Sequence, residues 1–219
     1  MTRLLTRFDD DDPEPDVPAP REPHPSEPDD NRTLGAPINE LESRLLRQRK
    51  VLVFGAIDDK LARDVTGRLL TLAATPEPID IYVNSPGGHV ESGDTIHDVI
   101  RFIDETAPVR MIGTGWVASA GAHIFLGGAR ERRFCLPNTR FLLHQPMGGV
   151  RGPAVDIDIE AREIIKMRER INRVIATETG QPYEKVARDT DRNYWMSAEE
   201  ARAYGMVHRI VGSLAELRT

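Results

Sequence analysis

Gly113-Thr114-Gly115-Trp116-Val117-Ala118-Ser119-Ala120-Gly121 is the stretch around which the rest of this chain is read. An apolar, strand-like run, Val109 to Ile112, leads into it, and a short helical pattern, Ala120 to Leu126, leads out. A serine hemmed by Ala and Gly at a strand-to-helix turn has its hydroxyl at a helix N-terminus, where backbone N–H groups favour negative charge. A nucleophilic serine needs that setting: an exposed Oγ and donors for an oxyanion. The same pattern also makes an ordinary helix cap, so the flanking sequence has to separate the two. Gly113-x-Gly115-x-x-Ala118 formally fits a dinucleotide fingerprint, but it sits late in the chain.

Outward from this turn, short apolar runs alternate with helical patterns. Glu40 to Arg47 reads as a short helix, and Val51 to Phe54 as a buried strand ending at Gly55. Asp58 caps a helix carrying Leu61, Val65, Leu69 and Leu72, which ends before Pro76. Ile79 to Val83 is a strand stopped by Asn84-Ser85-Pro86-Gly87-Gly88, and a helix follows from about Ser92. Beyond the Ser119 turn, Arg132 to Leu136 and Arg140 to Leu143 read as strands, and Gln145 to Pro153 as a Gly-rich loop. Ala154 to Thr179 is one long helical pattern closed by Gly180 and Pro182, either covering the core or forming an interface. Ser197 to Glu200 is a capping box, and Met206 to Val211 a final strand. The alternation predicts an α/β fold.

Composition narrows the function. Residues 1–35 hold ten acidic and four basic side chains, which accounts for the whole net charge of −6. Residues 1–36 are rich in Pro, Asp and Glu and bury too little to order, so they read as a disordered extension, with residues 37–219 as the folded domain. That domain is charge-balanced, which argues against nucleic acid. The single cysteine, Cys135, rules out a disulfide within the chain and suits a reducing cytoplasm. No apolar run approaches the roughly 18 residues of a membrane span, and no signal-peptide core is visible. A P-loop, a C-x-x-C and an H-E-x-x-H are all missing, and His89, His97 and His208 lack metal-ligand spacing, so neither metal nor cofactor is expected.

Three further places carry candidate chemistry. Asn84-Ser-Pro-Gly-Gly88 follows a strand and lets backbone approach a ligand, as an oxyanion donor or an ordinary turn. His144, at a strand end beside the Gly-rich loop, is placed as a general base, or is structural. Asp189-Thr190-Asp191-Arg192-Asn193 could supply the group that orients an imidazole, or be a polar loop. His123, four residues after Ser119, is a rival base whose position on the same helix points it away from the Oγ.

Taken in order, Tyr82-Val-Asn-Ser-Pro-Gly-Gly88, Ala118-Ser119-Ala-Gly121, Arg133-Phe-Cys-Leu-Pro-Asn138, His144-Gln-Pro-Met-Gly-Gly149 and Asp189-Thr-Asp-Arg192 resemble the proteolytic subunits of the Clp protease, a family of serine peptidases. Met196-Ser-Ala-Glu-Glu200 and Ser43-Arg44-Leu45-Leu46 extend the resemblance over about residues 38–211. It implies the spiral of ββα units shared with crotonases, with the long helix as a protruding handle. It implies Ser119 as nucleophile, His144 as base, and the N–H groups of Gly88 and Ala120 as the oxyanion hole. It further implies two stacked heptamers, homo- or hetero-oligomeric, fed with unfolded protein by a Clp ATPase unfoldase. The fold alone would also admit a crotonase-type acyl-CoA enzyme, against which Ser119 and His144 together argue.

The chain departs from the family pattern in four places. Asn193 stands in the register of the triad aspartate. An amide oxygen can accept from Nδ1–H but brings no charge, and in a trypsin-like triad the Asp→Asn change costs roughly 10⁴ in kcat. A weakly active paralogue in a mixed ring is therefore the alternative. Glu42 replaces a tyrosine of the pore segment, the Glu105 to Pro108 stretch is two residues longer than usual in the family, and Trp116 is expected to alter the substrate pocket.

Overall fold

Val51, Val53, Ile79, Ile81, Val83, Val109 and Met111 are buried, and they alternate along three strands that pair in parallel. The computed structural model describes residues 40–147, 149 and 151–217. The acidic extension, residues 1–36, lies outside the described residues. The elements are α1 (Glu40–Arg47), β1 (Lys50–Ile57), α2 (Asp59–Leu72), β2 (Ile79–Gly88), α3 (Val90–Ile103), β3 (Val109–Ala118) and α4 (Ala120–Phe125). They continue with β4 (Arg133–Cys135), β5 (Arg140–Leu143), α5 (Ala154–Thr179), α6 (Tyr183–Asp189), β6 (Tyr194–Met196), α7 (Ala198–Tyr204) and β7 (Arg209–Ile210).

The sheet runs β1-β2-β3-β4-β7, all parallel, because a helix or long crossover separates neighbours in sequence. β5 leaves that path, pairing in parallel with β3 and antiparallel with β6. This is the expected α/β architecture. Asp58 caps α2 by accepting from the Leu61 amide at 2.7 Å, and the capping box of Ser197 and Glu200 opens α7, both as the sequence predicts.

Several elements are longer or shorter than their sequence patterns. Gly55 does not end β1; at φ 83° it makes a bulge inside it, and the register with β2 slips there. β2 does not stop at Asn84 but runs to Gly88, with Gly87 and Gly88 paired to Ala56 and Ile57, and Ser85 to Val117. Pro86 falls outside both registers, where its missing N–H costs no ladder bond. The last strand shortens to Arg209–Ile210, while Met206 and Val207 bury ahead of it. α6 and β6, at seven and three residues, are too short for periodicity to reveal.

α5 divides the two readings of the long helix. Its buried residues, Asn172, Ile175 and Thr179, all lie in its C-terminal turns. Val155, Ile157, Ile159 and Ile165 are exposed. Only its last turns cover the core, and the rest presents apolar side chains with no cover from the described part of the chain.

A charged bolt fixes the C-terminal end of α5. Arg133 is fully buried on β4. It pairs with the Glu178 carboxylate and donates to the backbone oxygens of Glu178 (2.9 Å) and Gly128 (2.7 Å). Removing one partner of such a pair strands the other charge. Glu178→Ala is therefore expected to cost about 3 kcal/mol, read as a lowered denaturation midpoint, and Glu178→Gln less, since its amide keeps a hydrogen bond.

Candidate active site

The site is built where β3 changes partners. Its first half pairs with β4, Met111 to Gly113 against Arg133 to Cys135. Its second half pairs with β5, Trp116 to Ala118 against Arg140 to Leu142. Gly115, at φ 59°, makes the bend between the two. Gly113 packs where a Cβ would meet Val117, Cys135 and Phe141 at 3.2–3.3 Å. The two glycines thus serve the strand, not a dinucleotide. Cys135 is buried at this junction, and burial pushes its thiol up to about 12, so it is inert core.

Ser119 closes β3 and opens α4 with φ 55° and ψ −123°, a conformation costly for a residue with a Cβ. Its surroundings hold it there. Its amide donates to the Leu142 carbonyl (2.9 Å), and its carbonyl accepts from the amides of Ala122 (2.9 Å) and His123 (3.1 Å). Such a strained strand-to-helix turn lifts a serine Oγ clear of the chain, as in a nucleophile elbow. Ala120 is the first residue of α4, so its amide has no intrahelical acceptor.

The glycine pair of β2 lies beside this turn. Gly87, at φ 100°, approaches so closely that an added Cβ would sit 2.6 Å from the Ser119 Cβ. Gly88, at φ 156°, is fixed against β1, where a Cβ would come within 2.1 Å of the Ile57 carbonyl oxygen. Ser85 anchors the segment: its Oγ donates to the Gly55 carbonyl (2.6 Å) and accepts from the Gly87 amide (3.0 Å). The sequence singles out Gly88; the contact that makes Gly87 indispensable is tertiary.

His144 follows β5, and its ring shares one pocket with Ser119 and Ala120. No hydrogen bond joins the Ser119 Oγ to the imidazole; such bonds are often loose before substrate binds. Burial lowers the His144 pKa below the ordinary imidazole value. Its Nδ1 is buried and lacks a hydrogen-bond partner among the described residues.

The orienting candidates sort differently. Asp189 is taken up by Lys185 (2.6 Å) and the Tyr204 hydroxyl (2.9 Å). The Asp191 carboxylate accepts from Arg168 (3.1 Å). The loop itself is stapled to the His144 strand: the Gln145 amide donates to the Thr190 carbonyl (2.6 Å), and the Gln145 side chain to the Asp191 carbonyl (2.8 Å). Phe141, Leu142 and Leu143 face Met196, Trp195 and Tyr194. The ladder ends at Leu143 and Tyr194, and His144 and Asn193 each lie one residue beyond that last pair. Asn193 is exposed and makes no hydrogen bond to the ring.

The pocket is narrow, about 30 Å³, and otherwise lined by Val90, His123, Leu143, Pro146, Ile171 and Ile175. Trp116, expected to alter it, is not among the lining residues; it stands exposed on β3, in register with Arg140. His123 is the residue that sequence reasoning missed as pocket wall. No group of His, Cys, Asp and Glu among the described residues could hold a metal, and no helix among them is long and apolar enough to cross a membrane.

A strained serine at a strand-to-helix turn, backed by a glycine pair and sharing a pocket with a strand-end histidine, defines a serine-peptidase type of site. The sequence profile of the Clp protease family matches residues 35–213. The "ATP-dependent Clp protease proteolytic subunit 2" of Gluconobacter oxydans is 72% identical, over 100% of this chain and 96% of its own length. The subunit 2 protein of Pseudomonas aeruginosa is 52% identical, over 86% of this chain and 92% of its own. Among solved structures, ClpP1 from Listeria monocytogenes is 51% identical with a TM-score of 0.73, covering 81% of this chain and 99% of its own. An asparagine-to-aspartate mutant of that protein superposes with a TM-score of 0.75 over the same shares. The chain belongs to the Clp protease family.

Two measurements probe the site. A histidine acts as a base only when neutral, above its pKa, so a depressed His144 pKa moves the acid limb to lower pH. Fluorophosphonate labelling of Ser119 is expected to reach half its maximal rate below about pH 6.5, the ordinary imidazole value. Gly87→Ala drives a methyl group into Ser119 and is expected to reduce the labelling rate about 100-fold, with Ser85→Ala milder.

Proposed function

We propose that this chain is the proteolytic subunit of an ATP-dependent Clp protease, a serine endopeptidase that cleaves unfolded protein delivered by a partner ATPase. The observation that carries the reading is the strained Ser119 turn sharing one pocket with His144. In this reading the Ser119 Oγ attacks the scissile carbonyl and His144 takes its proton. The amides of Gly88 and Ala120 receive the developing oxyanion, and His144 then protonates the leaving amine. Asn193, one residue beyond the last β5–β6 pair as His144 is, accepts from Nδ1–H once the ring turns toward it. Family membership brings assembly with like subunits. The exposed apolar residues of α5 are the natural contact between stacked rings, in a cytoplasmic particle. Residues 1–36 are an extension of the peptidase domain, residues 37–219, and a candidate propeptide.

A second reading is favoured by one observation: the His144 Nδ1 has no partner among the described residues, and the residue in the register of the triad aspartate, Asn193, is uncharged. The chain would then be a weakly active subunit of a mixed ring, contributing walls more than turnover. One substitution separates the two. Asn193→Asp supplies a carboxylate to the imidazolium and is expected to raise peptide turnover in the assembled protein at least about tenfold, toward the roughly 10⁴ seen for the reverse change in a trypsin-like triad. Ser119→Ala must abolish turnover in both backgrounds. An unchanged rate with Asp at 193 would mean that another group orients His144.

A further inference from the structure

α4, the helix that follows Ser119, is six residues long and buried throughout. Isolated helices shorter than about 12 residues are marginal in water, so packing has to fix this one. It also has strain to contain. Ser119 keeps its φ of 55° only while its surroundings over-determine it. The amides of Ala122 and His123, both on α4, help to do so by donating to the Ser119 carbonyl. His123 is the one residue of α4 with a polar side chain. That side chain is 6% exposed, and both of its ring nitrogens are buried.

The carboxylate of Asp94, on α3, is the group this ring meets. Nε2 of His123 lies 2.9 Å from Oδ1 of Asp94, an ionic approach rather than a well-aligned hydrogen bond. A proton on Nε2, in the neutral or the charged ring, faces that carboxylate favourably. The same carboxylate is gripped from α5, where Arg170 donates to both oxygens at 2.8 and 2.6 Å. Burial alone would raise the pKa of Asp94. The His123 ring in its protonated form and the Arg170 guanidinium outweigh that and hold it well below the usual carboxylate range. His97 holds the ring on a second side, stacked with centroids 4.4 Å apart and planes within 13°. His97 is itself engaged by Asp98 at 2.9 Å. Gly93, the residue before Asp94, lies against Ala120, where an added Cβ would come 3.1 Å from the Ala120 Cβ. Three helices therefore converge on Asp94, and what it touches on α4 is the side chain of the residue whose amide holds Ser119.

We infer that Asp94 is a positioning residue for the reaction: gripped by Arg170 on α5, it holds His123 and with it α4, so that the Ala120 amide and the Ser119 turn stay where an oxyanion forms. The inference rests on the peptidase reading, since it takes the Ala120 amide to receive that oxyanion. Asp94 is not among the residues that line the pocket, and it acts through His123. Apolar packing at this place would stabilise the fold as well as a part-buried ion pair does. What the charge adds is direction. A forked guanidinium on one side and a ring N–H on the other fix the angle of α4 as well as its distance. Donors aimed at a developing oxyanion need that precision, because a misplacement of about 1 Å costs about 100-fold in rate.

The test measures kcat and KM of the assembled protein on one fluorogenic peptide, with fluorophosphonate labelling of Ser119 alongside. Asp94→Leu removes the shared carboxylate and is expected to lower kcat about tenfold with KM within about twofold of wild type. Asp94→Asn keeps an acceptor for the ring and should recover most of that loss. His123→Phe takes away the group through which Asp94 acts, so adding Asp94→Leu to it should lower kcat by less than about twofold more. A purely structural role would lower the denaturation midpoint of Asp94→Leu and leave the kcat of the assembled protein unchanged. That outcome overturns the inference, as does a loss confined to KM, or an undiminished loss in the His123→Phe background. If Asp94→Leu does not assemble, the half-exposed Arg170 decides. Arg170→Met should lower kcat about tenfold and Arg170→Lys much less, and equal turnover in the two overturns the inference. Failure of the wild-type assembly to label at Ser119 would instead defeat the peptidase reading on which the inference stands.

Discussion

The close approach of two backbones, β2 at Gly87 and the β3–α4 turn at Ser119, is the constraint on which the rest of this structure depends. No side chain fits between them. The approach demands glycine on one side and a strained φ on the other. It is kept by interactions that do not involve the Ser119 Oγ: the Ser119 amide on Leu142, the Ser85 hydroxyl bridging Gly55 and Gly87, and the contact of Gly93 with Ala120, where an added Cβ would lie 3.1 Å away. Small residues on α3, α4 and β2 let these elements pack at backbone distance, which fixes the oxyanion-hole candidates relative to the Oγ without any long side chain.

From that constraint the sheet topology acquires a purpose. β3 has to leave β4 and join β5 so that its end turns toward the strand that carries His144. β5 in turn pairs antiparallel with β6, which brings the Asp189–Asn193 loop alongside. The candidate nucleophile, base and orienting group therefore come from three different elements, joined through the β3–β5–β6 ladder. In the loop that precedes Asn193, the carboxylates of Asp189 and Asp191 are already held by Lys185, Tyr204 and Arg168.

α5 belongs to two environments. Its C-terminal turns are bolted to the core through Arg133 and Glu178, and they tie to the pocket through Arg170, Asp94 and His123. Its N-terminal turns expose valine and isoleucine. A helix built this way links whatever covers its exposed end to α4, the helix that follows Ser119, because Asp94 contacts both Arg170 and His123.

Residue chemistry at single positions was legible in the sequence: a serine at a turn before a helix, a glycine pair after a strand, a histidine at a strand end, and a cap at Asp58. These depend on local backbone preference and on hydrophobic period, which a sequence carries directly. The extent of β1 and β2 was not legible, because Gly55, Pro86 and Gly87 signal turns locally and become strand only through pairing with neighbours. Nor was the pocket. Trp116 lies two strand positions from Ala118 and yet points elsewhere, while His123, set aside as a rival base, became pocket wall. By itself the sequence determined which side chains are available and that they belong to an α/β serine peptidase of the Clp protease family. The tertiary structure decided which of them meet: Gly87 against Ser119, His144 in one pocket with Ser119, and His123 against Asp94. Those meetings are contacts between segments far apart in the chain, and no local propensity encodes them.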